Sequence, residues 1–364
     1  MRSAGAVGAP KPVTWSSGRG VGSGACTLAP GCATSEAKGI SALAAGVELF
    51  DDWDAVAAEN GAELDARPCL FERLSWFRLL ARHCPPPGRL LAIKAGTCWL
   101  FLVRNGRRAA AYGNWYSLRV GPIGDPARIG AIASAVRAAG IASVELTPVD
   151  HPEQVATGFR SAGWIVFTSA ATASWRLDAE GLTFADYWAS RPSRLRNTAE
   201  RRARAIDTEV HRRFDARAWA AYEDIYRASW KPEEGAPAFL RDLAEQEGDR
   251  LRLGIARHLG RPVAAQLWFV ENGTATIHKL AYREDARHLS PGTVLSMAMF
   301  RAALDEDRVA WIDYGTGDEP YKAEWMAERH ILWRIEAYSP HTFTGLAGAL
   351  RRLGSGLVRR SARR

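Results

Sequence analysis

Residues 277–325 read IHKLAYREDARHLSPGTVLSMAMFRAALDEDRVAWIDYGTGDEPYKAEW and decide the fold. The segment runs from a strand through a turn rich in capping residues into a helix, a second strand and a glycine turn. Ser290 stands where a helix N-cap is expected, and Pro291 takes the first helical position, where its missing N–H costs nothing. Gly292 keeps side-chain bulk off the turn. Such a helix start either just caps the chain or offers backbone N–H groups and the helix dipole to a phosphate. Leu295, Ala298, Met299 and Ala302 recur at i, i+3, i+4 and i+7, an apolar stripe that suits a helix lying on a sheet. Residues 309–314 then form a short buried strand. Asp313 closes it just before Gly315-Thr316-Gly317, where a carboxylate is either a base or the cap of a turn.

Working outward, residues 251–258, 262–270 and 274–282 make three strands joined at Leu259-Gly260 and Asn272-Gly273, the second a strong hairpin signal. A short helix near 319–326 and a last strand at 331–338 follow. The order is thus three antiparallel strands, helix, strand, short helix, strand. With it come His278-Lys279-Leu280-Ala281-Tyr282, Ser290-Pro291-Gly292, Asp313-Tyr314-Gly315 and Glu319-Pro320-Tyr321-Lys322. Order and residues together resemble the GNAT superfamily of acyl-CoA-dependent N-acyltransferases. Within it they look like the acyltransferases named after the CelD cellulose-biosynthesis proteins, which are related to the Fem peptidoglycan aminoacyltransferases.

The first half has the same order. Two amphipathic helices near 51–59 and 70–83 precede a meander at 90–94, 98–104 and 107–112, with Asn105-Gly106 as its second turn. An extended segment at 115–120 leads to Asp125, which caps a helix with Pro126 at its first position. A strand at 144–147, a helix at 152–162 and a strand at 164–168 complete the half. The two Asn-Gly pairs lie 167 residues apart, and the same offset carries Val144 onto Trp311 and Trp164 onto Ile331. The expected fold is α/β (α+β): two tandem GNAT-like domains, each a mixed, mostly antiparallel sheet flanked by helices, packed side by side with a cleft between them. The expected boundaries are a disordered segment at 1–38, domains at 39–180 and 218–340, an arginine-rich connecting helix within 181–217 and a basic tail at 341–364. The first copy has no counterpart of Tyr321-Lys322, so the second should carry the chemistry and the first should shape an acceptor cleft.

A chain of 364 residues with 47% apolar content can bury a sizeable core. Its five cysteines are odd in number and, like the eight histidines, follow no metal-ligand spacing, which points to reduced thiols, a cytoplasmic protein and no metal. Of the net charge of +8, residues 1–38 hold +3 and the last twenty, with six arginines and no acid, hold +6, leaving −1 for the body. Global basicity therefore does not point to DNA. No apolar run is long enough to span a bilayer. Leu346, Leu350, Leu353 and Leu357 share one helical face beside arginines, which reads as a solvated tail or as weak contact with an acidic membrane surface.

The resemblance implies an acyl-CoA, acetyl-CoA for instance, as co-substrate, with no cofactor bound permanently. The acceptor would be an amine on a small molecule, a sugar or a cell-envelope component. Backbone N–H groups near Lys279, Leu280 and Ala281 would polarise the acyl carbonyl, and Ser290, Pro291, Gly292 and Thr293 would receive the donor's phosphates. Asp313 would take the amine proton, with His278 as a second base. Tyr321 would protonate the leaving thiol, and Lys322 would grip a phosphate or carboxylate. Each has a plainer reading: Tyr321 as a buried aromatic, Lys322 as a partner of Asp318 or Glu319, His278 as a satisfied strand histidine.

In the connecting helix, Ser193 stands as a cap, and Leu195, Ala199, Ala203 and Ile206 form one face. Nine arginines lie in residues 184–217, and Arg194 and Arg201 are read as an anion clamp or a solvated surface. Trp230 is read as an acceptor wall or a core anchor. The sequence departs from typical GNAT enzymes where the usual arginine and glycine phosphate loop is replaced by His288-Leu289-Ser290-Pro291-Gly292. Two alternatives stay open. One is a Fem-type transferase using aminoacyl-tRNA, although no long charged heptad insertion like the arm of many Fem proteins is present. The other is a non-catalytic GNAT-fold protein in polysaccharide biosynthesis or export.

Overall fold

Asn272 and Gly273 take φ of 46° and 71°, and Leu259 and Gly260 take 50° and 78°. Consecutive left-handed residues give a two-residue turn whose twist matches the strands it joins, so both hairpins of the second half close tightly. The computed structural model describes residues 46–361. The first half runs β1 (Val47–Phe50), α1 (Trp53–Asp65), α2 (Leu74–His83), β2 (Arg89–Ala95), β3 (Cys98–Asn105) and β4 (Arg108–Ala111). It continues with α3 (Ile129–Ala138), β5 (Ser143–Val149), α4 (Pro152–Ser161) and β6 (Ile165–Asp178). Two helices, α5 (Phe184–Ser190) and α6 (Ser193–Ala203), lead into the second half. That half runs β7 (Asp207–His211), α7 (Ala216–Arg227), α8 (Pro237–Gln246), β8 (Leu251–His258), β9 (Arg261–Glu271) and β10 (Thr274–Tyr282). It ends with α9 (Pro291–Arg301), β11 (Trp311–Thr316), α10 (Lys322–Trp325), β12 (Glu328–Tyr338) and α11 (Phe343–Ser361).

The halves repeat one order: four antiparallel strands, a helix, a strand parallel to the fourth, and a final antiparallel strand. The tandem, mixed and mostly antiparallel architecture is therefore present, but the two sheets are fused. All twelve strands form one sheet in the order β1-β2-β3-β4-β5-β12-β6-β11-β10-β9-β8-β7. The final strands are exchanged: β12 lies between β5 and β6, and β6 pairs with β11. Sequence reading placed the last strand of the first half at 164–168, whereas β6 runs on to Asp178. It missed β1 and β7, short edge strands without a strong alternating pattern. Residues 115–120, expected as an extended segment, form a loop that opens with a turn.

One face of the sheet is covered by α1, α2, α7 and α8, whose side chains make a core common to both halves. Trp76 of α2 meets Phe239 of α8 edge-on at 5.2 Å. On the other face, α3 and α4 cover the first half, while α5, α6 and α9 cover the second. Arg73, buried on α2's N-cap, pairs with Glu247 at 3.0 Å and with Glu271. The expectations for residues 1–38 and the extreme C-terminus lie outside the described residues. Among the described residues, no helix is long and apolar enough to cross a membrane.

Candidate active site

β10 pairs with β11 only over Thr274–Thr276, opposite Trp311–Asp313. On its other side, the pairing of β10 with β9 shifts register between Ile277 and Lys279, so His278 is a bulge. A bulge turns a strand locally. Past it, β10 leaves β11 and a wedge opens between them. Gly315 sits at the base of the wedge with φ of 64°, and a Cβ there would lie 3.0 Å from the Ile277 carbonyl. Both the left-handed backbone and the close approach favour glycine.

The wedge is a cavity of about 180 Å³. His278, Lys279 and Leu280 form one side, and Tyr314, Gly315, Thr316, Glu319, Tyr321 and Lys322 the other. Lys231 lines it from the loop after α7, and the first half contributes Trp115 and Leu118. The structure thus brings together His278, Lys279, Leu280, Tyr321 and Lys322. Ala281 is buried in the shared core and is not among the lining residues. Ser290, Pro291, Gly292, Thr293, Trp230, Arg194, Arg201 and Asp313 are not among the lining residues.

Tyr321 is 40% exposed and stands edge-on to Tyr314 at 5.8 Å. Burial, and then the charge of Glu319, raise its phenol above the ordinary tyrosine range, so it holds its proton at neutral pH. Lys322 is buried, and its ammonium donates to Glu319 Oε2 at 2.9 Å and to the carbonyls of Thr316 at 2.9 Å and Gly317 at 3.3 Å. These contacts use all three of its protons. The expected phosphate grip is therefore corrected: Lys322 holds the turn after β11, as the pairing with Glu319 alternative had it.

His278 donates Nε2–H to the Tyr116 carbonyl at 3.1 Å, while its buried Nδ1 has no partner among the described residues. Aromatic rings of Phe71, Trp76, Tyr116 and Phe269 surround it at 5.6–6.3 Å. Burial, then the Lys279 charge, push its pKa down to about 3. A group so weakly basic is a poor proton acceptor at neutral pH, which corrects its reading as a base.

Asp313 needs correction too. Its Oδ2 takes Arg119 Nη2 at 2.8 Å and lies 3.5 Å from Arg176 Nε. Its Oδ1 takes Ser174 Oγ at 2.6 Å and the Gly315 N–H at 2.9 Å. A buried carboxylate held by four donors is a tie between the loop at 115–120, β6 and β11 rather than a free base.

At the start of α9, Ser290 has φ of 51° and its side chain makes no capping bond. Its carbonyl instead accepts the N–H groups of Thr293 at 3.1 Å and Val294 at 3.3 Å, and its own N–H goes to the Arg287 carbonyl. Pro291 has no N–H, so among the described residues the expected donor cluster shrinks to Gly292. A Cβ on Gly292 would lie 3.3 Å from Tyr282, whose ring packs on the exposed Trp230 at 4.2 Å. Trp230 is thus no core anchor. In α6 the N-cap is Pro192 rather than Ser193, and Leu195 and Ala199 are buried as the pattern required. Arg194 and Arg201 are exposed. Turned further inward are Arg196 and Arg202, whose buried Nε atoms have no partner among the described residues.

Sequence reading overlooked Lys231 and its neighbours. Lys279 pairs with Glu234 at 3.0 Å and lies 4.6 Å from the Tyr116 ring centre, and the Tyr116 hydroxyl donates to Glu234 at 2.5 Å. Lys231 is the cavity lysine with no carboxylate bonded to it among the described residues. Its ammonium lies 5.8 Å from the Trp230 ring and 5.9 Å from that of Tyr226. Burial, then the Lys279 charge, lower its pKa to about 8. The local signal is the loop Ser229-Trp230-Lys231-Pro232, in which the tryptophan is the conspicuous residue. Trp115, Tyr116 and Leu118 carried no signal, because they meet their partners across more than a hundred residues.

The profile of the Acetyltransferase (GNAT) domain matches residues 193–323, so the chain carries such a domain across β10, α9 and β11. Among solved structures, FemX aligns with a TM-score of 0.55 at 10% identity, over 79% of this chain and 96% of its own. The C-terminal domain of a protein assigned as a lysylphosphatidylglycerol synthetase of Agrobacterium fabrum aligns at 0.54 and 13% identity, over 84% and 97%. L-PGS from Bacillus licheniformis aligns at 0.51 and 13%, over 83% and 95%. At these identities the likeness is one of fold, and it extends over both halves. No curated protein matches the sequence.

Proposed function

We propose that the chain is an N-acyltransferase whose acyl donor enters the wedge between β10 and β11. The observation that carries this reading is the bulge at His278, beyond which β10 has no partner on the β11 side. Unpaired strand N–H groups in a half-buried cleft are suited to the oxygen of an acyl carbonyl, where charge grows as a nucleophile adds. The acceptor amine attacks the carbonyl carbon, the new C–N bond forms and the C–S bond of a thioester breaks. The amine must lose a proton and the leaving thiolate must gain one. Tyr321, still protonated, stands on the cavity wall to give that proton. Lys231 replaces Asp313 and His278 as the acceptor of the amine proton, since an amine with a pKa near 8 is partly neutral in the working range. The donor's phosphates would run past Tyr282 to the Gly292 N–H at the start of α9.

Titration calorimetry with acetyl-CoA, combined with single-turnover rates, tests this reading. Gly292→Asp should abolish binding, by repulsion of phosphate and by crowding Tyr282. Tyr321→Phe should bind normally and transfer ~10²-fold more slowly. Unchanged binding in Gly292→Asp would place the donor elsewhere.

A second reading, an aminoacyl ester donor of the Fem kind carried by tRNA, draws support from the left-handed Ser290. Its carbonyl already uses most of the first-turn donors that a coenzyme A pyrophosphate would need. FemX and a protein assigned as a lysylphosphatidylglycerol synthetase are among the structures that share this fold. Transfer from aminoacyl-tRNA without any acetyl-CoA binding would select it, and inertness toward both would favour a non-catalytic role.

A further inference from the structure

Leu346, Leu350 and Leu353 are carried by a helix, α11, that is docked on the fold. α11 lies on the end of the sheet through small residues: Gly348 abuts the Tyr338 ring, Gly345 abuts the Ser339 and Ala142 carbonyls, and Ala349 is buried. The opposite face holds Phe343, Leu346, Leu350 and Leu353, exposed by 89%, 43%, 60% and 51%. At ~100° per residue these four fall within an arc of roughly 80°. They are four of the nine large hydrophobic side chains exposed among the described residues. After Glu336 the sequence holds no acid, and its last twenty residues hold six arginines. Arg351 is exposed, while Arg352 turns back to Glu336 at 2.5 Å.

We infer that α11 is a docking surface for an anionic lipid bilayer, lying in the plane of the interface with Phe343, Leu346, Leu350 and Leu353 inserted. A one-sided apolar stripe on a helix fixed to a folded body, in a segment whose only charged residues are arginines, suits the boundary between headgroups and acyl chains. A second copy of the chain is the other candidate to cover the stripe, but it would set six arginines against six. A bilayer rich in phosphatidylglycerol turns that repulsion into attraction, and each arginine near such a surface strengthens partition by roughly fivefold. This surface is separate from the wedge and stands whatever reaction the wedge supports.

Flotation of the full chain with vesicles tests the inference. With vesicles of phosphatidylcholine and phosphatidylglycerol in equal parts, the protein should float with the lipid. With phosphatidylcholine alone, or at high salt, binding should fall at least ~10-fold, since the charge attraction is screened. Leu350→Asp combined with Leu353→Asp should abolish flotation while leaving the thermal transition unchanged, because both side chains are exposed. Wild-type protein that stays with the buffer, or a double variant that floats equally well, overturns the inference. So does a wild-type dimer that the double variant converts to a monomer, since a second copy would then own the stripe.

Discussion

Lys231 stands in the wedge as a half-buried ammonium with no carboxylate bonded to it among the described residues, and that arrangement has a cost for folding. Its folded pKa of about 8 lies below the ordinary 10.5. The folded state therefore pays the full penalty below pH 8, and the penalty fades between pH 8 and 10.5 as the unfolded chain holds more protons. Lys231→Met should stabilise the protein at pH 7 by ~1–2 kcal/mol, after allowance for partial solvation. The gain should shrink as pH rises past 8, as urea titrations at pH 7 and 10 would reveal. The same variant should lose the rising limb of kcat/KM toward pH 8 if Lys231 takes the amine proton. A stable variant with an unaltered pH profile would remove Lys231 from the reaction. Asp313 gives the opposite pattern. Asp313→Asn weakens two arginine contacts in a buried network, so it should destabilise by about 3 kcal/mol. A base would instead lose turnover with its melting temperature unchanged.

At the scale of elements, the wedge depends on one glycine. Gly315→Ala imposes φ of 64° on a residue with a Cβ and drives that Cβ to 3.0 Å from the Ile277 carbonyl. The two strands must shift apart or the turn must refold. A loss of ~1–3 kcal/mol is expected, with weaker donor binding, and urea titration together with calorimetry would report both. A Gly315→Ala variant with native stability and native affinity would mean that the wedge does not need this close approach. Much of this element-level structure was legible in the sequence. Asn272-Gly273 and Leu259-Gly260 marked their turns, and the i, i+3, i+4 stripe of α9 marked its buried face. Tyr321 and Lys322 were placed in the same cavity as His278 and Lys279. What stayed hidden was set partly by partners distant in sequence and partly by local backbone geometry. Asp313 looked like a base because Arg119 and Ser174 cannot be seen beside it, and Ser290 looked like a cap because its left-handed φ follows from the preceding helical turn at 284–289. Lys322 is ambiguous between two roles in the sequence, because the fold of the turn at 315–319 is what gathers three acceptors around its ammonium.

At the scale of the whole molecule, the exchange of β6 and β12 decides how the halves depend on each other. The matched acetyltransferase segment begins in α6 and otherwise lies wholly in the second half, which suggests a separable domain. Its β11, however, is completed by β6 of the first half, and its α7 and α8 share a core with α1 and α2. Arg73 of the first half neutralises Glu247 and Glu271 of the second. Without it, Glu271 loses this counter-ion and Glu247 keeps only Arg250, at 3.5 Å. Burial already raises the Glu247 pKa against the pull of Arg73 and Arg250, so the loss of Arg73 would make that carboxylate costlier still. Removing the first half would also leave β11 with an unpaired edge and strip one wall, Trp115 and Leu118, from the wedge. An exposed strand edge is a template for aggregation. Residues 181–361 expressed alone should therefore aggregate or melt without a cooperative transition. Co-expression with residues 46–180 should restore a soluble complex that melts cooperatively. The measurement is a calorimetric scan of the fragment, alone and with its complement. A fragment that is monomeric and melts sharply by itself would mean that the exchanged strand is an ornament on an independent domain, and that the chemistry of the wedge belongs to the second half alone.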